Sequence, residues 1–232
     1  MIEREFVKQN KKEFQVQEYV ANNLKNVGIS HIKMQRTPLG EKIIVFASKP
    51  GLVVGREGRT IKNLTIDLKR KFKFENPQIE ISEVENPPID AKIVAENIAS
   101  SLERFGIKKF KGIGHKAMAD AINSGARGIE ILISGKIPGA RAKTWRFYKG
   151  YLKKCGEVAS TGIDTAYETA KLKIGIIGVQ VRIMPPSTKL PDDIKIKQEK
   201  AKEEIKEEKK TPEEEGNVKN KEGEEEIKTE SA

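Results

Sequence analysis

The chain has 232 residues, with 44 Lys and Arg against 34 Asp and Glu, a formal charge of +10 and 37% hydrophobic residues; this exceeds one average domain, and such excess charge is tolerated best where a polyanion neutralises it. No apolar run approaches the ~18 residues of a membrane-spanning helix, Met1-Ile2-Glu3-Arg4-Glu5 is not a signal peptide, and Cys155 with only His31 and His115 makes neither an internal disulfide nor a usual structural zinc site. RNA, DNA and an anionic membrane are the polyanions to weigh, membrane the weakest of them, and the expectation is a cytoplasmic, cofactor-free binder of nucleic acid without a metal site.

Val16, Val20, Leu24 and Val27 fall on one stripe of a first helix, with Gly28 placed as its C-terminal cap glycine. Alternation around Ile32 and Met34, a turn at Pro38-Leu39-Gly40 and the β-branched run 43–46 predict two strands. Pro50-Gly51 stops that pattern and residues 52–54 form a short apolar segment. Ile61, Leu64, Leu68 and Phe72 then predict a second amphipathic helix, whose basic end complements its dipole. Residues 78–84, with Ile79 and Ile81 on one face, predict a third strand.

Asn86-Pro87-Pro88 marks a boundary, because consecutive prolines continue neither helix nor strand. Asp90 is placed to cap a helix with the stripe Ile93, Val94, Ile98, Leu102 and Phe105, ended by Gly106. Phe72 and Phe105 are both expected in cores. A basic loop with Lys108, Lys109 and Lys111 leads into a helix carrying Ala117, Met118, Ala121 and Ile122. Residues 129–137 predict a strong strand, 140–152 alternate imperfectly among Arg and Lys, 164–172 predict a helix, and 174–184 form a last apolar run. Residues 191–232 hold 10 Lys and 15 Asp and Glu, net −5, which leaves +15 on residues 1–190. With almost no aromatic or branched residues, this tail cannot bury enough apolar area to offset its ordering entropy and reads as disordered.

The segment Val54-Gly55-Arg56-Glu57-Gly58-Arg59-Thr60-Ile61 carries the most chemical information. Glycine permits positive φ and close approach of another backbone, and the first N–H groups of the following helix lack intrahelical partners and favour an anion. Arg56, Arg59 and Lys62 add charge. Alone, the pattern is more often that of a tight turn between core helices. Its setting decides: helix, strand, strand, short helix, this loop, helix and strand resemble the KH domain in its type II arrangement, over roughly residues 16–85. KH domains clamp about four nucleotides against such a loop. The resemblance implies that Gly55 and Gly58 admit phosphates, that Arg56, Arg59 and Lys62 neutralise them, and that Val54 and Ile61 floor a groove. Glu57 departs from an all-basic loop, and either pairs with a neighbouring Arg or weakens RNA binding.

Ser124-Gly125-Ala126-Arg127-Gly128, the strand at 130–134, Gly135-Lys136-Ile137-Pro138-Gly139-Ala140-Arg141-Ala142-Lys143 and Ile177-Gly178-Val179-Gln180-Val181-Arg182-Ile183-Met184 follow in order. They resemble the C-terminal domain of the universal KH-containing protein family of the small ribosomal subunit, in its archaeal and eukaryotic branch. Together the two resemblances cover nearly all of residues 1–190. They imply an α+β chain: a type II KH domain over 1–86, a second small α/β domain over 87–190 with two or more helices packed on a mixed sheet, and the disordered charged tail over 191–232.

The implied function is a structural ribosomal protein that binds ribosomal RNA in the head of the small subunit and stands at the entrance of the messenger channel. Its implied partners are ribosomal RNA, mRNA and neighbouring small-subunit proteins. Lys108, Lys109, Lys111, His115 and Lys116 fall at or beside positions where relatives use basic residues to open structured messenger, with Gly112 where a second basic residue is usual. Trp145, Phe147, Tyr148 and Tyr151 lie among Arg141, Lys143 and Arg146. Either these rings stack bases between cations, or some pack into the core and the basic residues face RNA.

No GxxxxGK followed by Ser or Thr is present, and neither a Cys-His nor a Ser-His pairing stands out, so no catalytic residue is expected. Two other readings share the composition. One is a free-standing KH-type RNA-binding factor; the other is a DNA-lesion lyase using a lysine whose pKa is depressed by its cationic neighbours.

Overall fold

A computed structural model of the chain describes residues 2–194 apart from Asn26, Leu39 and Ala140. All but the first four residues of the expected disordered tail lie outside the described residues. Val16 and Val20 of the first stripe are buried on the last turns of helix α1 (Ile2–Asn23), whereas Leu24 and Val27, also buried, lie beyond its end. Strands β1 (Ile29–Thr37) and β2 (Gly40–Ala47) form an antiparallel hairpin. A short helix α2 (Pro50–Val54), the glycine loop and helix α3 (Arg59–Phe72) carry the chain to β3 (Gln78–Glu83). β3 lies parallel to β2, which needs a crossover of this length. The sheet order is β1-β2-β3, and Ile43, Val45, Val53, Leu64 and Leu68 build a core beneath it with α1.

The second core starts at α4 (Ala91–Phe105). Its N-terminus is capped by Asp90, whose carboxylate accepts from the Lys92 N–H at 2.9 Å and the Ile93 N–H at 3.4 Å. Gly106, at φ +76°, ends it, its N–H reaching the Leu102 carbonyl at 2.8 Å. After α5 (Phe110–Asn123) come β4 (Gly128–Gly135), β5 (Lys143–Gly150), the short α6 (Glu157–Thr161), β6 (Asp164–Leu172) and β7 (Gly175–Met184). The sheet order is β5-β4-β7-β6. α4 packs on β6 and β7 and α5 on β4 and β5, so both helices lie on one side. Ile129, Ile131 and Ile133 of β4 and Val181 and Ile183 of β7 fill the space between, each fully buried.

Several expectations change. Residues 164–172 are not a helix but strand β6, paired along its whole length with β7. The second sheet is not mixed: all of its pairings are antiparallel, and the mixed sheet is the one in the first core. Phe105 is not a core residue, being 54% exposed, and Phe72 is half-buried. Lys111 belongs to α5, since the basic loop contracts to one helical turn at Ile107–Lys109. α1 starts far ahead of its apolar stripe and stops before Gly28. That glycine, at φ +76°, serves the connection to β1, where it sits close to Ser48 and Ile93. α6 had no signal in the sequence reading.

Burial sets a testable contrast. Ile131→Ala removes side-chain volume from the centre of the second core and lowers unfolding free energy by about 2–5 kcal/mol. Ile2→Ala, on the exposed start of α1, stays within about 0.5 kcal/mol of the parent. Urea titration measures both.

Candidate nucleic-acid interface

Three groups of cations stand out on the described surface. The first surrounds the glycine loop. Gly55 has φ +71° and ψ −177°, and a Cβ there would overlap the Thr60 hydroxyl. Gly58, also at φ +71°, is the left-handed N-cap of α3 and supplies no side-chain cap; the Arg59 N–H that opens the helix donates to the Arg56 carbonyl. Space around the position of a Gly58 Cβ is open. Arg56 and Lys62 are exposed beside it. Glu57, itself at φ +56°, turns to Arg59 and pairs with it at 2.8 Å, both side chains about three-quarters exposed. The acid therefore engages Arg59, while Arg56 and Lys62 remain exposed beside it with no acidic partner among the described residues. Val54 is partly exposed and Ile61 half-buried.

The second group lies where α4 turns into α5. Lys108 and Lys109 sit on the intervening turn, and Lys111 and Lys116 on α5, all exposed. The Lys109 ammonium lies 5.3 Å from the centre of the Phe105 ring. Lys111, from α5, and Lys143, from β5, each lie 4.9 Å from the Trp145 ring, which makes an edge contact with Phe110. A cavity of about 510 Å³ joins Lys108 and Arg141 with Lys136 over a floor that includes Ile107, Pro138 and Ile174. Lys109 and Lys116 line a neighbouring one with Phe105. The structure thus brings Lys108, Lys109, Lys111, Lys116, Arg141 and Lys143 to this side of the second core. Phe105 and Lys136 were missed in the sequence; only the position of Phe105 immediately before the helix-ending glycine signalled that it could lie outside the core.

Arg146 belongs to a third group. Alternation along β5 turns Trp145 and Phe147 to the helices and Arg146 to the opposite face. There Glu130, 1% exposed, accepts from Arg146 Nε at 2.5 Å, Lys154 Nζ at 2.7 Å and Arg182 at 3.3 Å. Burial by itself raises the Glu130 carboxyl pKa, but the hydrogen bonds and charges of Lys154 and Arg146 outweigh it and hold the group below its ordinary value. Lys154 and Arg182 were not picked out in the sequence. The available signal was Glu130, one acid inside an apolar strand. Of the four rings near β5, Phe147 is buried and Trp145 half-buried, whereas Tyr148 and Tyr151 are about half exposed. The histidines pack on rings: His31 stacks on Phe46 at 4.1 Å, and His115 meets the edge of Phe147 at 5.2 Å. Cys155 is exposed.

Known proteins share these elements. The KH domain profile matches residues 15–89, and that of the ribosomal protein S3 C-terminal domain matches residues 98–183. A small ribosomal subunit protein uS3 of Methanococcus aeolicus is 45% identical over 197 residues, which are 85% of this chain and 94% of that protein. The chain belongs to the uS3 family of small ribosomal subunit proteins. Relatives of the same name from Methanocaldococcus jannaschii, 47% identical over 199 residues, and Methanococcus maripaludis, 46% identical over 203, cover 86% and 88% of the chain and 95% of their own lengths. All three are archaeal, in keeping with the branch that the sequence motifs resemble. Family membership carries a structural role in the small ribosomal subunit and in translation.

Glu130 sets a pH-dependent prediction. A depressed carboxyl contributes stability that is present above its unfolded value of about 4.3 and is lost as pH falls through the folded value. Glu130→Gln leaves three cations without their counter-charge and lowers stability at neutral pH by on the order of 1–3 kcal/mol. Melting curves across the acid range should show the difference between variant and parent shrinking as pH falls.

Proposed function

We propose that the chain is a cytoplasmic structural constituent of the small subunit that holds ribosomal RNA in the head and lines the entrance of the messenger channel, working by charge neutralisation and shape recognition without turnover. The observation that carries this is the glycine loop: two positive-φ glycines lead into helix α3, with Arg56 and Lys62 exposed beside it and without an acidic partner among the described residues. In this reading residues 1–86 act as the KH unit and 87–190 as the second ribosomal unit, with 191–232 an appended tail. Gly55, Arg56, Gly58, Arg59 and Lys62 hold the backbone of ribosomal RNA. Lys108, Lys109, Lys111 and Lys116 face mRNA, Arg141 and Lys143 extend the RNA-facing surface on the helix side of the second core, Arg146 adds to it on the opposite face of the sheet, and other faces meet neighbouring small-subunit proteins.

With roughly ten phosphate contacts, affinity for single-stranded RNA falls with salt at a log–log slope of about −7. Arg56→Glu with Lys62→Glu should weaken RNA binding and flatten that slope while leaving the circular dichroism spectrum unchanged; unaltered binding would sink the phosphate-holding role. Replacing Lys108, Lys109 and Lys111 with Ala should spare subunit assembly and slow translation of hairpin-containing messengers. Normal rates on such messengers would reject the mRNA role.

A further inference from the structure

The four-stranded sheet carries its helices on one face. Because β4 directs Ile129, Ile131 and Ile133 to α4 and α5, its residues Glu130, Leu132 and Ser134 point the other way. The pairing aligns two rows across that opposite face. One runs Thr165, Arg182, Glu130, Tyr148, and the other Tyr167, Gln180, Leu132, Arg146. The face is open: Tyr167 is 72% and Tyr148 46% exposed, and Ser134, Thr165 and Thr169 are exposed as well.

A continuous line of contacts crosses all four strands. With its amide oxygen turned toward them, Gln180 accepts from the Tyr167 hydroxyl at 2.9 Å and from Arg182 Nε at 3.0 Å. Arg182 continues to Glu130, Glu130 to Arg146, and the Arg146 guanidinium lies 5.0 Å from the Tyr148 ring. Lys154 adds a third cation to the same carboxylate, so three positive charges around one negative leave +2 at the middle of the face.

We propose that this open sheet face is a second docking platform for single-stranded RNA, with Tyr148 and Tyr167 stacking bases and Arg146, Lys154 and Arg182 meeting the phosphates between them. The occupant follows from the chemistry. Exposed planar rings beside cations suit bases of any sequence, and four-stranded sheets with aromatic side chains on an open face stack two or three nucleotides. Leu132 is the one aliphatic side chain in the two rows and is half-buried, so the face lacks the apolar centre typical of a protein–protein interface. The contact line fixes the guanidiniums and the Tyr167 hydroxyl before any ligand arrives, which lowers the ordering cost of binding.

This rests on the reading of the chain as an RNA binder and adds a surface separate from the glycine loop. The test uses the full chain with a fluorescent oligouridylate carrying 4-thiouridine, read by anisotropy and by mapping of photo-crosslinks. Tyr148→Ala with Tyr167→Ala should weaken binding roughly tenfold or more and leave the salt slope unchanged, because rings and not charges are removed. Tyr148→Phe with Tyr167→Phe should retain most of the affinity. Crosslinks should map to peptides of β5 and β6 as well as to the loop. Unchanged affinity of the double alanine variant, or crosslinks confined to residues 54–62, would overturn the platform, as would capture of a protein on this face with RNA affinity unaltered. Arg56→Glu with Lys62→Glu, assayed in parallel, separates the two readings: if that variant weakens binding and the tyrosine variant does not, the loop stands and the platform falls. No binding by the parent chain would end both.

Discussion

Strand β4 places two incompatible environments back to back. On one side, three isoleucines without solvent contact knit α4 and α5 to the sheet; on the other, a carboxylate 1% exposed is held in place by an Arg, a Lys and a second Arg. A buried unpaired carboxylate is too costly to keep charged. Glu130 thus fixes Arg146 of β5, Lys154 of the loop after β5 and Arg182 of β7 to one point, in a register that a one-residue slip would invert. The isoleucines set the same register independently. Two constraints of different physical kind therefore agree on a single sheet, which is what specifies a unique fold.

Charge organises the remainder. Residues 1–190 carry +15, and several acids among the described residues are already engaged with particular cations, Glu13 with Arg36 and Glu80 with Lys42 among them. Glu57 engages Arg59 and Glu130 its three partners, whereas the turn between α4 and α5 presents lysines over exposed Phe105. Self-repulsion of this sort is stable in a chain whose working state includes a polyanion. Membership of a ribosomal protein family supplies that setting.

Much of this was legible in the sequence because the signals were local. Proline pairs, cap residues and helix stripes placed α3 and α4 within a few residues, and the glycine loop announced itself through its spacing. The failures share a cause, which is that tertiary pairing overrode local pattern. In β6, Ala166 and Ala170 are spaced i, i+4, a separation that fits one helix face and equally one strand face. Being small, both are buried beneath α4, and pairing with β7 decides for the strand. Phe105 continues the α4 stripe by spacing, yet the helix ends there and the ring projects past the core. Arg146 was read with its sequence neighbours, but strand alternation sends it to the face opposite Lys143, and only the cross-strand register shows that it shares Glu130 with Arg182. The glycine loop was fully visible, although the pairing of Glu57 with Arg59 needed the backbone geometry.

The central claim is that this chain is a resident RNA-bound component of the small ribosomal subunit, and sedimentation of a gentle cell lysate through sucrose tests it most directly. With the chain followed across the gradient at low and moderate salt, the account predicts stoichiometric co-migration with small subunits at both. Migration as free protein at moderate salt, with small subunits intact elsewhere in the gradient, would contradict it.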